Sequence, residues 1–304
     1  MNTKNQKNNK FKNSPYLKKV LVVYKKSVFE LYEKSSDKPV VKFIKNNDED
    51  AIRIRKSDAI QKKTLKKVIS SLEKYSINHD IVYRGDLEQT RNIDSYSIII
   101  SVGGDGTLIE VSHYVNSSNN IPILGINSDP SPHGSTGFYC CCDADKFEGF
   151  LEKIDEQKIS EIGRMSLQIN KTLLPEQVLN DILLAHTNPA AISRYRIGEK
   201  NYKGSGMLIC TPAGSTGFMR EEQGEIMDLN SKMFQYILRS KRNAKPEFAE
   251  KIKITSLTRQ GKIFVDGQHL IYDFSIGNNL EISKGNSIKI FGDIEKKRAK
   301  YYIS

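Results

Sequence analysis

The stretch Ile98-Ile99-Ile100-Ser101-Val102 running directly into Gly103-Gly104-Asp105-Gly106-Thr107 constrains this chain more than any other. Its apolar, β-branched half, entered through Tyr96 and Ser97, reads as a buried strand. The three glycines around Asp105 let the backbone pass close to a ligand without a Cβ in the way, and they allow turns closed to other residues. After Thr107 the apolar residues Leu108, Ile109, Val111 and Tyr114 to Val115 recur at roughly helical spacing, which predicts a helix opening at the turn. A strand, a glycine turn and a helix N-terminus make an anion site, and Asp105 places a carboxylate within it. Read on these residues alone, a plain tight turn that needs glycine stays open as the alternative.

The surrounding pattern predicts an α/β domain. Lys19-Val20-Leu21-Val22-Val23-Tyr24 reads as a first buried strand, Asp80 to Tyr83 as a second, Ile98 to Val102 as a third and Ile121 to Ile126 as a fourth. The polar run from about Glu33 to Ser57 reads as a loop. Leu65, Val68, Ile69 and Leu72 then fall at i, i+3, i+4 and i+7, predicting an amphipathic helix from near Ser57 to Tyr75. Strands alternating with helices imply a parallel sheet, and ligands of such sheets sit beyond the carboxyl ends of the strands, where Gly103 to Thr107 falls.

Near residue 155 the pattern becomes β-rich. Strands are predicted at Arg164 to Ile169, Val178 to Leu184, Ser193 to Ile197, Met207 to Cys210, Lys251 to Ser256, Lys262 to Val265, Phe274 to Ile276 and Leu280 to Ser283. One helix is predicted among them, around Lys232 to Arg239, where Met233, Tyr236 and Ile237 share a helical face. With 304 residues the chain is long enough for two domains with substantial cores.

Charge and cysteine usage narrow the function classes. The net charge is +11, but residues 1 to 19 hold six lysines and no acid, so more than half of the imbalance sits in an Asn-, Gln- and Lys-rich tail expected to be disordered. No basic face interleaved with aromatics suggests nucleic acid. No apolar run approaches the roughly 18 residues that cross a bilayer, and the first 19 residues carry no apolar core of a secretory signal, so a cytoplasmic setting is expected. Cys140, Cys141 and Cys142 alternate faces if extended and so do not converge on a metal; with Cys210 they read as reduced, mostly buried thiols. His79, His113, His133, His186 and His269 are scattered without metal-ligand spacing, and no metal ligands are assigned.

A second loop repeats the logic of the first. Gly204-Ser205-Gly206-Met207-Leu208-Ile209-Cys210 leads into Thr211-Pro212-Ala213-Gly214-Ser215-Thr216-Gly217-Phe218, a strand ended by Pro212 with hydroxyls at a new helix start. Two such loops, one in each half, favour a site in the cleft between two domains. Lys25, at the end of the first strand, is a candidate phosphate contact.

In order and spacing, Gly103-Gly104-Asp105-Gly106-Thr107, Gly125-Ile126-Asn127, Leu179-Asn180-Asp181, Thr211-Pro212-Ala213-Gly214-Ser215-Thr216 and Val265-Asp266-Gly267-Gln268 resemble the motifs of NAD kinases, over roughly residues 19 to 290. The Gly-Gly-Asp-Gly element is shared with diacylglycerol and sphingosine kinases, and the Thr-Pro-x-Gly-Ser-Thr loop singles out NAD kinase. The resemblance implies an α/β N-terminal domain with a parallel sheet, a β-rich C-terminal domain and a terminal segment returning to the first. The boundaries are then a basic tail over 1–18, a nucleotide-binding domain over 19–155, a substrate-binding domain over 156–288 and the returning segment over 289–304. It further implies phosphorylation of the adenosine-ribose 2′-hydroxyl of NAD by ATP carrying Mg²⁺, by a homo-oligomer.

By the same resemblance Asp105 takes the hydroxyl proton, and Gly103, Gly104, Gly106 and Thr107 line the phosphate and nucleotide site. Asn180 and Asp181 bind ribose hydroxyls, Thr216, Gly217 and Phe218 flank an adenine, and Asn127, Phe138 and Ser205 are further carried-over positions. Several positions depart from the family. Asp181 stands where it usually has Glu, Ser205 where it has Asp, and Phe218 where it has Tyr; Arg220-Glu221-Glu222-Gln223-Gly224 replaces a small-residue run. Asn127-Ser128-Asp129-Pro130 is closer to the branch of animal mitochondrial NAD kinases. The departures cluster on the acceptor side, leaving two other readings: a related small-molecule or lipid kinase with the same loop, or a weakly catalytic NAD(P)-binding regulatory protein.

Overall fold

The computed structural model describes residues 11, 13–116, 121–131 and 134–302. The first unit holds strands β1 (Val20–Tyr24), β2 (His79–Tyr83), β3 (Ile98–Gly103), β4 (Ile123–Asn127) and β5 (Cys140–Asp143), with β6 (Ile159–Ile162) at its end. Its helices are α1 (Val28–Tyr32), α2 (Lys38–Ile44), α3 (Glu49–Lys74), α4 (Asp105–Ser112) and α5 (Phe147–Glu152). The second unit is built from β7 (Met165–Ile169), β8 (Thr172–Leu173), β9 (Asp181–His186), β10 (Ser193–Ile197), β11 (Lys200–Gly204), β12 (Gly206–Cys210), the short helix α6 (Phe218–Glu221), β13 (Phe234–Arg239), β14 (Glu247–Ala249), β15 (Ile252–Ser256), β16 (Gly261–Val265), β17 (Leu270–Asp273) and β18 (Asn279–Lys284). Strand β19 (Ile288–Phe291) and helix α7 (Ile294–Arg298) close the chain.

The first sheet runs β2-β1-β3-β4-β19-β6, with β5 also paired to β4. The pairings of β1 with β2 and β3, of β3 with β4, and of β4 with β5 and β19 are parallel. Every residue of β3 is buried, as a central parallel strand covered on both faces demands. Helix α3 fixes the carboxyl ends of these strands through polar residues inside its buried face. Gln61 Nε2 donates to the carbonyls of Lys25 at 3.2 Å and Val102 at 3.3 Å, and Thr64 Oγ1 donates to Ser128 O at 3.1 Å. Ser27 Oγ donates to Asp58 Oδ1 at 2.6 Å. These side chains add to the backbone bond from Lys25 N-H to Val102 O at 3.4 Å and tie the strand ends to α3.

The second unit contains two antiparallel sheets, β11-β10-β15-β18-β7-β8 and β14-β13-β12-β9-β16-β17. Strands β10 and β15 alternate buried and exposed residues, and their inward side chains Tyr195 and Ile254 share one core with Ile182, Leu184, Ile209 and Ile263 of the other sheet. Strand β12 is buried throughout. Its outward Leu208 and Cys210 pack with Met219, Met227 and Ile237, so the segment after β12 folds back over its own strand.

Several sequence expectations are corrected. The helix expected around Lys232 to Arg239 is strand β13, with five consecutive buried residues. Both of its faces are covered, so its apolar residues show no two-residue alternation and mimic helical spacing. The expected loop from Glu33 to Ser57 contains α2, capped by Asp37, whose Oδ1 accepts Val40 N at 3.3 Å, and the first turns of α3 behind Asp48. The strand expected at Phe274 to Ile276 falls instead at β17. In the basic tail, residues 1–10 and 12 lie outside the described residues, but Phe11 and Leu17 are buried in the first unit's core, against the expectation of disorder. Among the described residues, 289–294 cluster with the first unit and 295–302 with the second.

Candidate active site

In the first unit the expected strand, turn and helix are present, and close packing explains two of the glycines. A Cβ on Gly103 would lie 2.2 Å from Thr107 Oγ1, and one on Gly104 would lie 2.3 Å from Ser135 Oγ. At Gly106 a Cβ would meet nothing within 4 Å, so the first turn of α4 presents an unobstructed, exposed backbone face. Thr107 is buried and its N-H closes the turn onto Gly104 O at 3.0 Å.

Asp105 is the first residue of α4, and among the described residues its carboxylate is held by two backbone N-H groups. Phe138 N-H donates to Oδ2 at 2.9 Å and Tyr139 N-H to Oδ1 at 2.8 Å. Ser135 Oγ accepts the Asp105 N-H at 3.3 Å. One N-H per carboxylate oxygen fixes the rotamer and leaves each oxygen a second lone pair. Asn127 organises the loop that delivers these donors: its Nδ2 donates to Ser135 O at 3.0 Å and its Oδ1 accepts Asp129 N-H at 3.2 Å. At Gly137 the backbone has φ +62, and a Cβ there would lie 2.5 Å from Asn127 Nδ2. Phe138 is half-buried, its ring edge-on to Tyr139. Burial, then the Arg84 charge, lowers the Lys25 ammonium below its ordinary value, and Asp129 opposes this, so Lys25 is a partly desolvated cation at the end of β1. His133 lies outside the described residues.

In the second unit three motifs distant in sequence meet at one end of the central strands β12, β9 and β16. Strand β9 begins at Asp181, β12 ends at Cys210 opposite it, and β16 ends at Val265 opposite Ile182. Antiparallel order therefore brings Asn180-Asp181, Thr211 to Thr216 and Asp266 together. Asp266, at φ 49, turns its carboxylate back onto the start of β9, where it accepts Leu179 N-H at 2.7 Å, Asn180 N-H at 2.7 Å and Asp181 N-H at 3.0 Å. Thr211 Oγ1 donates to Leu179 O at 2.6 Å and accepts Gly214 N-H at 3.1 Å. Gly214 is required, because a Cβ there would lie 2.1 Å from Asn180 O. Thr216 caps the 3₁₀ turn onto Ala213 O at 3.3 Å. Gly217 and Phe218 are exposed, with Arg239 lying 5.0 Å over the Phe218 ring.

Ser205 is not part of this cluster. It precedes the other end of β12 and pairs with Ser240 Oγ at 2.7 Å, a full strand length of roughly 17 Å from Cys210.

Arg298 is a residue that motif reading missed. It is fully buried in α7, and its guanidinium donates to Ala213 O and Ser215 Oγ, each at 3.2 Å, and to Met227 O. Tyr302 OH donates to Met227 O at 3.3 Å as well. Arg298 has no carboxylate partner among the described residues, and its Nε has no acceptor. Ser215 Oγ also accepts Met227 N-H at 2.9 Å, so arginine and serine jointly tie the 3₁₀ turn to Met227. A lone arginine near the end of a chain carries no spacing signal that would have revealed this.

Burial, with the Asp266 charge adding to it, pushes the Asp181 carboxyl up to about 7. An unfolded Asp titrates near ~3.9, so between there and about 7 the folded chain keeps a proton that the unfolded chain releases. The stability from this group is complete below the lower value and is lost as pH rises to the upper one. Relative to Asp181→Asn, the wild type should lose on the order of 2–4 kcal/mol between pH ~4 and ~8. Urea unfolding of both proteins across that range measures it, and a pH-independent difference contradicts it. Arg298→Met strands buried oxygens and should cost about 3 kcal/mol or more, with partial recovery in Arg298→Lys. A shift of the unfolding midpoint worth under ~1 kcal/mol would show that the guanidinium does not hold the turn.

Comparison with known proteins agrees with this architecture. Residues 20–159 match the family described as ATP-NAD kinase N-terminal domain. A probable NADH kinase of Oryza sativa subsp. japonica is 33% identical over 261 residues, covering 74% of this chain and 78% of the relative. An NADH kinase of Arabidopsis thaliana is 30% identical over 262 residues, covering 74% and 80%. Among solved structures, an NAD kinase from Archaeoglobus fulgidus in complex with ATP aligns with TM-score 0.64 at 18% identity over 93% of this chain and 97% of the other. Yeast NADH kinase complexed with NADH aligns with TM-score 0.66 at 13% identity over 93% and 86%. These two likenesses establish a common fold. With a relative at 33% identity that is covered over 78% of its length, the chain belongs to the NAD kinase family.

Proposed function

We propose that this NAD(H) kinase transfers the γ-phosphoryl group of Mg-ATP to the adenosine-ribose 2′-hydroxyl of the dinucleotide, with Asp105 accepting the hydroxyl proton. The observation that carries this reading is the Asp105 carboxylate itself, fixed by two backbone N-H groups at the head of α4. Phosphoryl transfer rests on positioning and charge neutralisation, so one oriented carboxylate and a set of backbone donors suffice. Gly106 offers the exposed backbone face for phosphate, Gly104 and Thr107 shape the turn beneath it, and Lys25 adds a cation. Asn180 and Asp181 hold ribose hydroxyls, and Thr216 to Phe218 receive the adenine.

Magnesium enters as part of the substrate. Mg²⁺ commonly keeps several waters and is held through one or two carboxylates plus substrate phosphates rather than by an all-protein cage. It neutralises phosphate charge when bound. A homo-oligomer belongs to the same reading, supported by family resemblance. Among the described residues no helix is long and apolar enough to cross a membrane.

One observation favours NADH as the acceptor: both plant relatives matched over about three quarters of the chain are named NADH kinases.

Steady-state rates with Mg-ATP against NAD and NADH test both points. Asp105→Asn should lower kcat by about 10²–10⁴-fold with KM for the dinucleotide little changed. A variant that turns over like the wild type removes Asp105 as the base, and a kcat/KM for NAD above that for NADH rejects the second reading.

A further inference from the structure

The three consecutive cysteines take no part in the chemistry above, and the fold does not arrange them as simple alternation predicts. In the pairing of β4 with β5, Gly125 faces Cys140 while the next residue, Ile126, faces Cys142. Cys141 is therefore an inserted residue at a one-residue slip in register, and such a bulge breaks the alternation of side chains. As a result the sulfurs of Cys141 and Cys142 lie 4.0 Å apart. Neither is in a disulfide; Cys142 is buried and Cys141 is half-buried, so the pair is approachable from the Cys141 side. Cys140 is turned away, with its thiol against Gly103 O at 4.0 Å.

Two thiols at this separation can both bond to one soft atom, since bonds of about 2.3 Å to each sulfur span the gap. The surroundings limit which atom. Among the described residues no third Cys, His, Asp or Glu completes a metal site, which disfavours a bare divalent ion. The contact with Cys141 and burial push the Cys142 thiol well above the usual range, which disfavours any ligand that needs preformed thiolates. A trivalent arsenical avoids both restrictions: it brings its own third substituent and removes the thiol protons as water.

We propose that Cys141 and Cys142 form a vicinal dithiol site for trivalent arsenicals, and that its occupation disturbs the hold on Asp105. With an arsenoxide R-As=O, both S-H bonds break and two As-S bonds form. The oxide oxygen leaves as one water carrying both protons, and arsenic stays trivalent throughout. The coupling is short. Strand β5 starts at Cys140, directly after Phe138 and Tyr139, whose N-H groups hold the Asp105 carboxylate. Drawing the two sulfurs together at the bulge pulls on the segment that positions those donors.

The test uses the full reduced chain and phenylarsine oxide, with binding followed by intact mass and titration, independently of turnover. One equivalent should bind to the wild type and to Cys140→Ser and Cys210→Ser. Cys141→Ser and Cys142→Ser, each leaving one thiol of the pair, should bind at least about 100-fold more weakly. Dinucleotide phosphorylation by the wild type should fall on binding and return with excess 2,3-dimercaptopropanol, while Cys141→Ser resists the same dose. Unchanged binding in Cys141→Ser or Cys142→Ser, or loss of binding in Cys140→Ser, overturns the site. Full activity of the arsenical-bound wild type overturns the coupling to Asp105. Should one serine variant fail to fold, the other decides the matter.

Discussion

Everything proposed for the first unit depends on two backbone hydrogen bonds, from Phe138 and Tyr139 N-H to the two oxygens of Asp105. They join the first turn of α4 to the start of β5, which lie more than thirty residues apart in sequence. A free aspartate at a helix start samples several rotamers; one held on both oxygens keeps a single direction for its remaining lone pairs. The other features of this end of the sheet serve that geometry. Gly103 and Gly104 allow Thr107 and Ser135 to approach the turn, and Asn127 anchors Asp129 and Ser135, the latter three residues before the first donor.

The second unit uses the same device for a different end. Asp266 accepts three successive N-H groups at the start of β9, and Thr211 accepts and donates within the adjoining turn. Both anchors draw on main-chain groups at the ends of central strands and in the adjoining turn, so the fold itself supplies the partners. Asp181 is desolvated at the half-buried start of β9 and stands against the Asp266 charge, which is why its carboxyl is pushed up to about 7. Arg298 adds a buried cation behind the turn without a carboxylate to offset it among the described residues, so the oxygens of Ala213, Ser215 and Met227 carry its solvation.

Legibility in the sequence followed how far local pattern reflected burial. Strands β1, β3 and β4 were readable because central parallel strands are apolar along their length, and the core of α3 because Val68 and Leu72 repeat at helical spacing on its buried face. Strand β13 was not, because Met219 and Met227 cover its outer face and remove the alternation that marks a strand. The start of α3 was hidden by its polar first turns, and the bulge at Cys141 by the ordinary expectation of alternation. Of the site, Asp105, Asn180, Asp181 and the Thr211 to Thr216 turn were legible as motifs. The partners Phe138 N-H and Tyr139 N-H were not, because a backbone donor leaves no trace in residue type, and Ser205 showed only in the fold that it stands at the other end of its strand.

Amide hydrogen exchange at Phe138 and Tyr139, compared between the wild type and Asp105→Ala, tests the central interaction most directly. Strong protection of both amides in the wild type, falling by at least about 10-fold in the variant while the amides of β3 and β4 stay protected, is the predicted result. Equal exchange at the two amides in both proteins would show that the carboxylate is not held there and would contradict the role given to Asp105.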